Sequence, residues 1–227
     1  FFEAVDKKLK EVYPDFNTLS RDHKNYYFIK TLLSPEYFDY ANKPKGILPF
    51  HKYTTHIAAP IQEHLNECAF YVTSNNESNL HLTVSENHQA QFEEIVKNVK
   101  GEIEAKSNSK ISVSYSYQKK ETDTVAVDFE NMPFRNEKGM LVFRPGGHGA
   151  LIENLNAMEA DVVFVKNIDN VSQNSIKRIS FYKKALAGVL IELQHQIFGY
   201  LKVLDSSEIT SEKINEILVF LKKQYRV

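Results

Sequence analysis

The stretch from Met140 to Asn170 constrains the fold of this chain more than any other part of the sequence. It contains two short apolar runs, 141–143 and 162–165, separated by a glycine-rich turn and an amphipathic segment. Short runs of β-branched or aromatic residues bounded by turn residues are typical of strands buried on both faces, which occur in parallel sheets. The stretch therefore predicts a strand, loop, helix and strand unit.

Each of these apolar runs ends in a polar cluster. The first leads into Pro145-Gly146-Gly147-His148-Gly149, and the second leads into Lys166-Asn167-Ile168-Asp169-Asn170. In parallel sheets, ligands bind at the carboxyl ends of the strands. We therefore expect the functional site to include both clusters.

The rest of the chain alternates between helix and strand patterns. Apolar residues at helical spacing predict helices within 1–33, where Phe1 shares a face with Val5, and at 57–72, after Asn87, along 186–204 and after Thr210. Alternating patterns predict strands at 80–85, 111–118 and 124–128. Asn87 and Thr210 are placed to cap the helices that follow them. This order predicts an α/β protein, a three-layer sandwich with a mainly parallel central sheet, as one domain over residues 1–227.

Composition excludes several classes of protein. The chain has 227 residues, of which 42% are hydrophobic and 25% charged, so it can bury a core. Its formal net charge of −1 gives no electrostatic reason to expect nucleic acid or an anionic membrane as a partner. Cys68 is the single cysteine, which excludes an internal disulfide and suits a reducing compartment. No apolar run approaches the roughly 20 residues that span a bilayer. We expect a cytoplasmic protein.

The ends of the sequence suggest a longer protein. The chain begins without methionine inside an amphipathic segment, and it stops directly after a helical pattern. We therefore expect residues 1–227 to be a fragment of a larger protein, with an oligomeric state that the sequence leaves open.

Two loops carry candidate binding residues. The proline-rich loop 43–50 presents Lys43 and Lys45, either as a solvated basic turn or with one ammonium held at a phosphate. The turn from Gly146 to Gly149 is either a tight connection or a loop that lets a ligand approach the backbone. In the second case, the helix that follows offers free N–H groups to an anion or a base edge. Neither a Walker loop nor a dinucleotide fingerprint is present.

Two further polar residues end predicted strands. Asp169 belongs either to an ordinary strand-terminal turn or to a Mg²⁺ site, because Mg²⁺ takes one or two carboxylates together with substrate phosphates. Gln118 either faces solvent or reads a base edge through its amide, which has one donating and one accepting end. The spacing of His51, His56 and His64 matches no zinc motif. The absence of GxSxG gives no support to a hydrolase.

The order of these motifs resembles that of the eukaryotic-type nucleotide-sugar pyrophosphorylases, which act on UDP-glucose and UDP-N-acetylglucosamine. The resemblance is carried by Lys43-Pro44-Lys45, then Gln118, then 145–149, then Asn167-Ile168-Asp169-Asn170. The chain as a whole also resembles a bacterial domain-of-unknown-function family through segments such as PKGILPFHKY, FRPGGHGALIENLN and VFVKNIDNV.

The pyrophosphorylase resemblance implies a Rossmann-like nucleotidyltransferase fold and a role for each candidate residue. Lys45 would stabilise phosphate charge during transfer, and Asp169 would hold Mg²⁺. Gln118, Gly146, Gly147, His148 and Gly149 would bind the base. The substrates would be a nucleoside triphosphate and a sugar-1-phosphate, with transfer of a UMP-type group and release of pyrophosphate.

One departure from that pattern leaves alternatives open. The glycine- and arginine-containing loop that cradles the triphosphate in this superfamily is not visible before Lys43. The sequence therefore supports a Mg²⁺-dependent nucleotidyltransferase first, and a non-catalytic nucleotide-binding or scaffold protein of the same fold second. A third interpretation is an α/β domain whose loops are only structural.

Overall fold

A computed structural model describes residues 2–206 and 209–225 of the chain. These residues form a mixture of helices and small sheets. The chain divides into two compact units, residues 1–176 and residues 177–227. The expected face of the first helix includes Phe1, which lies outside the described residues.

Seven helices lie in the described residues. They are α1 (Phe2–Val12), α2 (Arg21–Leu33), α3 (Pro60–Tyr71), α4 (Gln89–Ser107), α5 (Ile152–Asn156), α6 (Ile176–Leu204) and α7 (Ser211–Tyr225). The helices predicted within 1–33, along 186–204 and after Thr210 are confirmed. The Thr210 side chain accepts a hydrogen bond from the Lys213 N–H at 3.2 Å, so it caps α7 as expected. Asn87 does not cap α4, because the residue before the helix is His88, whose side chain makes no capping bond.

The described strands form three separate sheets rather than one central sheet. They are β1 (His51–Lys52), β2 (Ile57–Ala58), β3 (Thr73–Ser74), β4 (Glu77–Thr83), β5 (Lys110–Ser116), β6 (Thr124–Val125) and β7 (Phe143–Arg144). The only parallel pair among them is β4 with β5, in a register that places His81 opposite Ser114. Helix α4 connects these two strands, so β4, α4 and β5 form a βαβ unit.

The core lies around this unit. Its apolar residues come from α3, α4, β4, β5 and the loop at Ile47, and they are Ile47, Ala59, Ile61, Leu65, Cys68, Leu82, Phe92, Val96, Ile103 and Ile111. Cys68 is buried as predicted, and burial raises the pKa of its thiol to about 12. A thiol with so high a pKa stays protonated and unreactive at neutral pH.

The prediction that 141–143 is a buried strand is wrong. Leu141 and Phe143 are exposed, and β7 consists of Phe143 and Arg144 paired antiparallel with β6. The segment forms a local meander with 124–135 through isolated bridges that join Val127 to Pro133 and Arg135 to Leu141. Residues with positive φ at Asn131 and Gly139 make the two turns, so the strand finds its partners nearby instead of in a central sheet.

The second apolar run is not a strand either. Residues 162–165 run without regular secondary structure, and Val165 is 75% exposed. Tyr71 packs edge-on against Phe164, with ring centroids 4.9 Å apart, so side chains rather than a strand ladder hold the segment. The predicted strand, loop, helix and strand unit is therefore not formed in the described residues, and no Rossmann-like parallel sheet is seen there.

The second unit contains residues 177–204 of α6, together with α7. Tyr200 of α6 contacts Phe220 of α7 with ring centroids 5.1 Å apart, and Lys213 lies 5.5 Å from the centre of the Tyr200 ring. The apolar stripe predicted along 186–204 is helical, but Leu186 is 69% exposed and Val189 is 56% exposed. No helix in the described residues is long and apolar enough to cross a membrane.

Candidate functional site

The residues predicted to bind phosphate and metal lie in direct contact. The Lys45 ammonium donates a hydrogen bond to Asp169 Oδ2 at 2.9 Å, although the two residues are 124 positions apart in the chain. Both side chains remain accessible, at 69% exposure for Lys45 and 40% for Asp169. The hydrogen bond from Lys45 holds the pKa of Asp169 below its ordinary value, so the carboxylate is ionised at neutral pH.

A close backbone approach allows this contact. Lys45 opens a single 3₁₀ turn, Lys45–Ile47, in the proline-rich loop 43–50. Gly46 follows it and packs so tightly that a Cβ atom there would lie 2.7 Å from the Phe92 ring and 3.0 Å from Ile168 Cγ1. Only glycine fits this position without a shift of its neighbours. The small residue therefore lets the lysine loop reach the turn that carries Asp169.

Helix α3 fixes the Asp169 turn from the other side. His64 Nε2 lies 2.9 Å from the carbonyl oxygen of Ile168, the residue directly before Asp169. One turn further along, the Glu67 carboxylate receives two hydrogen bonds from Lys166 Nζ, at 2.8 and 2.6 Å. Glu67 is 2% exposed and Lys166 is 19% exposed, so this ion pair is largely withdrawn from water.

The same helix also holds the residues that follow the turn. Gln173 Nε2 donates to the carbonyl oxygen of Glu63 at 3.3 Å, and the Gln173 N–H donates to the Tyr53 hydroxyl at 2.9 Å. That hydroxyl donates in turn to Glu63 Oε2 at 2.7 Å. Burial raises the pKa of Tyr53, which keeps the hydroxyl protonated as a donor. Segment 166–173 is thus held at three positions by one helix.

Sequence reasoning missed these anchors. Glu63, His64 and Glu67 are buried on a helix that was interpreted from its apolar residues alone. A usable signal was present, since three ionisable residues within one and a half turns of an otherwise apolar helix need partners if they are buried. The predicted helix also began too early, because residues 57–58 form β2 and Pro60 starts α3.

The residues predicted to bind a base form a second cluster. Gln118 lies two residues beyond β5, and its amide Nε2 donates to Asp123 Oδ1 at 3.3 Å. Gly146 packs against the same segment, because a Cβ atom there would lie 2.5 Å from the carbonyl oxygen of Thr122. Gln118 and the glycine turn are therefore held by the segment 119–124, as neighbours.

The glycine turn itself is open to solvent. Gly147 has a φ of +77°, a conformation that favours glycine, and Gly147, His148 and Gly149 are exposed. The helix expected after the turn is short: a 3₁₀ segment, His148–Leu151, leads into the five residues of α5. So short a helix offers little dipole to an anion, so any ligand here would meet the backbone of the turn rather than a helix end.

The two clusters are not joined by a polar contact in the described residues. Within residues 2–206 and 209–225, no hydrogen bond or ion pair joins Lys45 or Asp169 to Gln118 or to the glycine turn. In the same residues no three His, Cys, Asp or Glu side chains are grouped so as to hold a metal ion. Asp169 is the carboxylate in contact with Lys45, and its expected role as a metal ligand stays a prediction.

The fold and site define a mixed helix and sheet protein with an accessible lysine and aspartate pair beside a helix of buried anchors. Residues 1–227 match the family model described as a domain of unknown function (DUF4301), so the chain belongs to this family. Neither the curated proteins nor the solved structures gave a match. The expected membership of a domain-of-unknown-function family is thereby confirmed, whereas the resemblance to nucleotide-sugar pyrophosphorylases stays a prediction.

Proposed function

We propose that the protein is a Mg²⁺-dependent nucleotidyltransferase that transfers a UMP-type group from a nucleoside triphosphate to a sugar-1-phosphate. An oxygen of the sugar phosphate attacks the α-phosphorus of the triphosphate, and the bond from that phosphorus to the bridging oxygen breaks. Pyrophosphate leaves, and the product is a nucleoside diphosphate sugar. This chemistry asks the protein for positioning and charge neutralisation, without a covalent nucleophile.

The observation that carries the proposal is the contact between Lys45 and Asp169. The motif order predicts that these two residues bind phosphate and metal, and their charged groups lie 2.9 Å apart. A lysine and a carboxylate that serve one metal-bound polyphosphate must be neighbours. An anchored aspartate turn, held by His64 and Glu67, gives that pair a fixed position.

Asp169 suits a magnesium ion. Its carboxylate is ionised and 40% exposed, and Mg²⁺ ordinarily takes one or two carboxylates with substrate phosphates and water. Bound there, the cation would neutralise phosphate charge during transfer. Lys45, whose side chain is exposed, would then exchange its contact with Asp169 for a phosphate oxygen.

Gln118 and the turn Gly146–Gly149 are proposed to bind the base. The Gln118 amide has one donating and one accepting end, as does the edge of a uracil ring. The one hydrogen bond that the Gln118 amide makes within the described residues, to Asp123, is long at 3.3 Å and therefore easily replaced. We also propose that the parallel pair β4 and β5 belongs to a larger Rossmann-like sheet of the nucleotidyltransferase type. The βαβ unit that joins these strands supports this extension.

A second candidate is a non-catalytic protein that binds a nucleotide with the same residues. This alternative is favoured because no hydrogen bond or ion pair in the described residues joins the lysine and aspartate pair to the base cluster. Such a protein would bind the triphosphate and release no pyrophosphate.

The first experiment is calorimetric titration of the full-length protein with UTP, with and without Mg²⁺. We expect Mg²⁺-dependent binding that Asp169→Ala and Lys45→Ala each weaken at least about tenfold, the range for a lost charge-assisted contact. Lys43→Ala and Asp161→Ala are matched controls, since they remove the same charges at nearby positions, two residues from Lys45 and eight residues from Asp169. Binding that all four variants leave unchanged, or no binding of UTP or any other triphosphate, would overturn the proposal.

Pyrophosphate release separates the two candidates. With UTP, Mg²⁺ and a panel of sugar-1-phosphates, a transferase releases pyrophosphate in a reaction that Asp169→Ala abolishes. A nucleotide-binding scaffold shows the calorimetric signal and no release with any sugar phosphate.

A further inference from the structure

A second polar site lies on the parallel pair of strands. A cleft of about 590 Å³ opens on the face of β4 and β5 that points away from the apolar core. Its lining includes Asn79, His81, Ser114, Ser116, Tyr117 and Asn154, and we call it the polar cleft. The strand register explains this lining, because the side chains on one face alternate with the core residues Leu82 and Ile111 on the other.

Hydrogen bonds fix the floor of the polar cleft. His81 bridges two serines of β5, with Nδ1 2.8 Å from Ser114 Oγ and Nε2 2.8 Å from Ser116 Oγ. Burial lowers the pKa of His81, so its ring is neutral at neutral pH. A neutral ring donates from one nitrogen and accepts at the other, so the floor presents both kinds of hydrogen-bonding group without a charge.

Asn154 forms part of the wall of the polar cleft, and one atom of its amide has no hydrogen-bond partner in the described residues. Its amide Nδ2 donates to Ser116 Oγ and to the carbonyl oxygen of Tyr117, both at 2.8 Å. Its Oδ1 atom is buried and accepts no hydrogen bond from the described residues, and the residue is only 8% exposed. Buried acceptors are normally satisfied, so an unpaired one in the wall of a cleft indicates a ligand that donates.

The rim of the polar cleft carries one positive and one negative side chain. Lys119 and Glu159 both line the cleft, and Lys119 also lies 3.5 Å from Glu153. Tyr117 lines the cleft as well, with its hydroxyl bound to Gln89 so that the ring is held in place. Neutral donors and acceptors beside an aromatic ring suit a ligand that has several hydroxyl groups, an apolar ring face and no net charge.

We propose that the polar cleft binds a neutral polyhydroxylated ligand of the monosaccharide class. The inference goes beyond the proposed nucleotide site, because Lys45, Gln118, Gly146–Gly149 and Asp169 do not line the cleft. Its test needs neither nucleotide nor Mg²⁺, so its failure and the failure of the proposed function are distinguishable.

The test is a titration of the full-length protein with methyl α-D-glucopyranoside, followed by saturation-transfer and amide chemical-shift NMR. We expect shifts at His81, Ser114 and Asn154, and an affinity that Asn154→Ala lowers about tenfold through the loss of its hydrogen bonds. Ser114 is exposed, so Ser114→Ala should fold unaltered and tests the site if Asn154→Ala does not fold. It should lower the affinity several-fold. Ser112→Ala is the matched control on the same strand and face, outside the cleft, and should change nothing.

Three results would overturn the proposal. The first is an absence of binding at sugar concentrations up to about 50 mM, beyond the range of specific weak sites. The second is binding that both Asn154→Ala and Ser114→Ala leave unchanged. The third is binding of glucose-1-phosphate at least about tenfold tighter than the neutral sugar and lost in Lys119→Met, because the site would then select an anion.

Discussion

Gly46 determines whether Lys45 can reach Asp169. The lysine loop and the aspartate turn meet across this residue, where a methyl group would lie 2.7 Å from the Phe92 ring and 3.0 Å from Ile168. Phe92 belongs to the core and is 4% exposed, so it cannot move aside cheaply. The position of the candidate site therefore depends on core packing, because Gly46 leaves room for the Lys45 loop to lie against Phe92.

We predict that Gly46→Ala destabilises the protein by about 1–3 kcal/mol, the usual cost of overpacking. Gly101→Ala is the control, and we expect it to stabilise the protein. Gly101 lies inside α4, and a methyl group there would meet no neighbouring atom within 4 Å. Alanine is the better helix former there, by roughly 0.5–1 kcal/mol. Urea unfolding of both variants measures the two effects. Equal stabilities for the Gly46 variant and the unmutated protein would show that the loop is not pressed against Phe92.

At the scale of elements, side chains of α3 hold the turn that carries Asp169 in place. The buried pair between Glu67 and Lys166 joins the helix to a segment that has no strand partners of its own. An ion pair with one fully enclosed carboxylate differs from an exposed one, because removal of its lysine leaves a charge without water.

Removal of one member of this pair should therefore be costly. We predict that Lys166→Met destabilises the protein by about 3–5 kcal/mol, and that Glu67→Leu combined with Lys166→Met recovers much of this loss. Lys106→Met is the control, since its pair with Glu102 is exposed on both sides and should contribute at most about 1 kcal/mol. Thermal and urea unfolding of the variants provide the comparison. Equal losses in the two lysine variants would contradict a buried role for the Glu67 pair.

Elements with a regular helical or alternating pattern of apolar residues were the ones that the sequence predicted. Helices α1, α6 and α7 and the strands around Leu82 and Ile111 follow from local periodicity. The errors at their ends are a few residues, except that α6 begins at Ile176 and the predicted stripe at Leu186. The runs 141–143 and 162–165 were misassigned. An apolar run indicates that its residues tend to be buried, but it does not indicate which segment they pack against. The meander of 124–144 depends on turns at Asn131 and Gly139 that the strand interpretation did not use.

The contacts of the candidate site could likewise be predicted only in part from the sequence. The contacts place Lys45 beside Asp169, and Gln118 beside the segment that packs on the glycine turn, whereas the roles that the motif order gives to these residues stay predictions. Periodicity could not predict the contacts of His64 and Glu67. These contacts join α3 to a segment about a hundred residues away, with sequence separations of 104 and 99 residues. Contacts of that range depend on the tertiary fold, which spacing along the chain does not encode.

At the scale of the whole molecule, burial is unevenly distributed. The principal core is drawn from residues 47–111, whereas the meander of 124–144 carries many exposed apolar side chains, among them Val127, Phe134 and Phe143. In the second unit, α6 and α7 leave Leu186 and Val219 exposed as well. Local stability follows local burial, since a segment with few buried contacts opens at little cost.

Hydrogen exchange should therefore be graded along the chain. We predict the slowest amide exchange in β4, α4 and β5, whose backbone hydrogen bonds surround the core, and exchange at least about a hundredfold faster in the meander of 124–144. Exchange followed by mass spectrometry on the full-length protein measures both sets in one sample. Val127 and Leu82 lie in comparable apolar sequence contexts but differ in exposure, at 52% and 7%, so their peptides form an internal comparison. Equal protection of the two would mean that the meander is covered in solution, and its exposed side chains would then mark an interface rather than a surface.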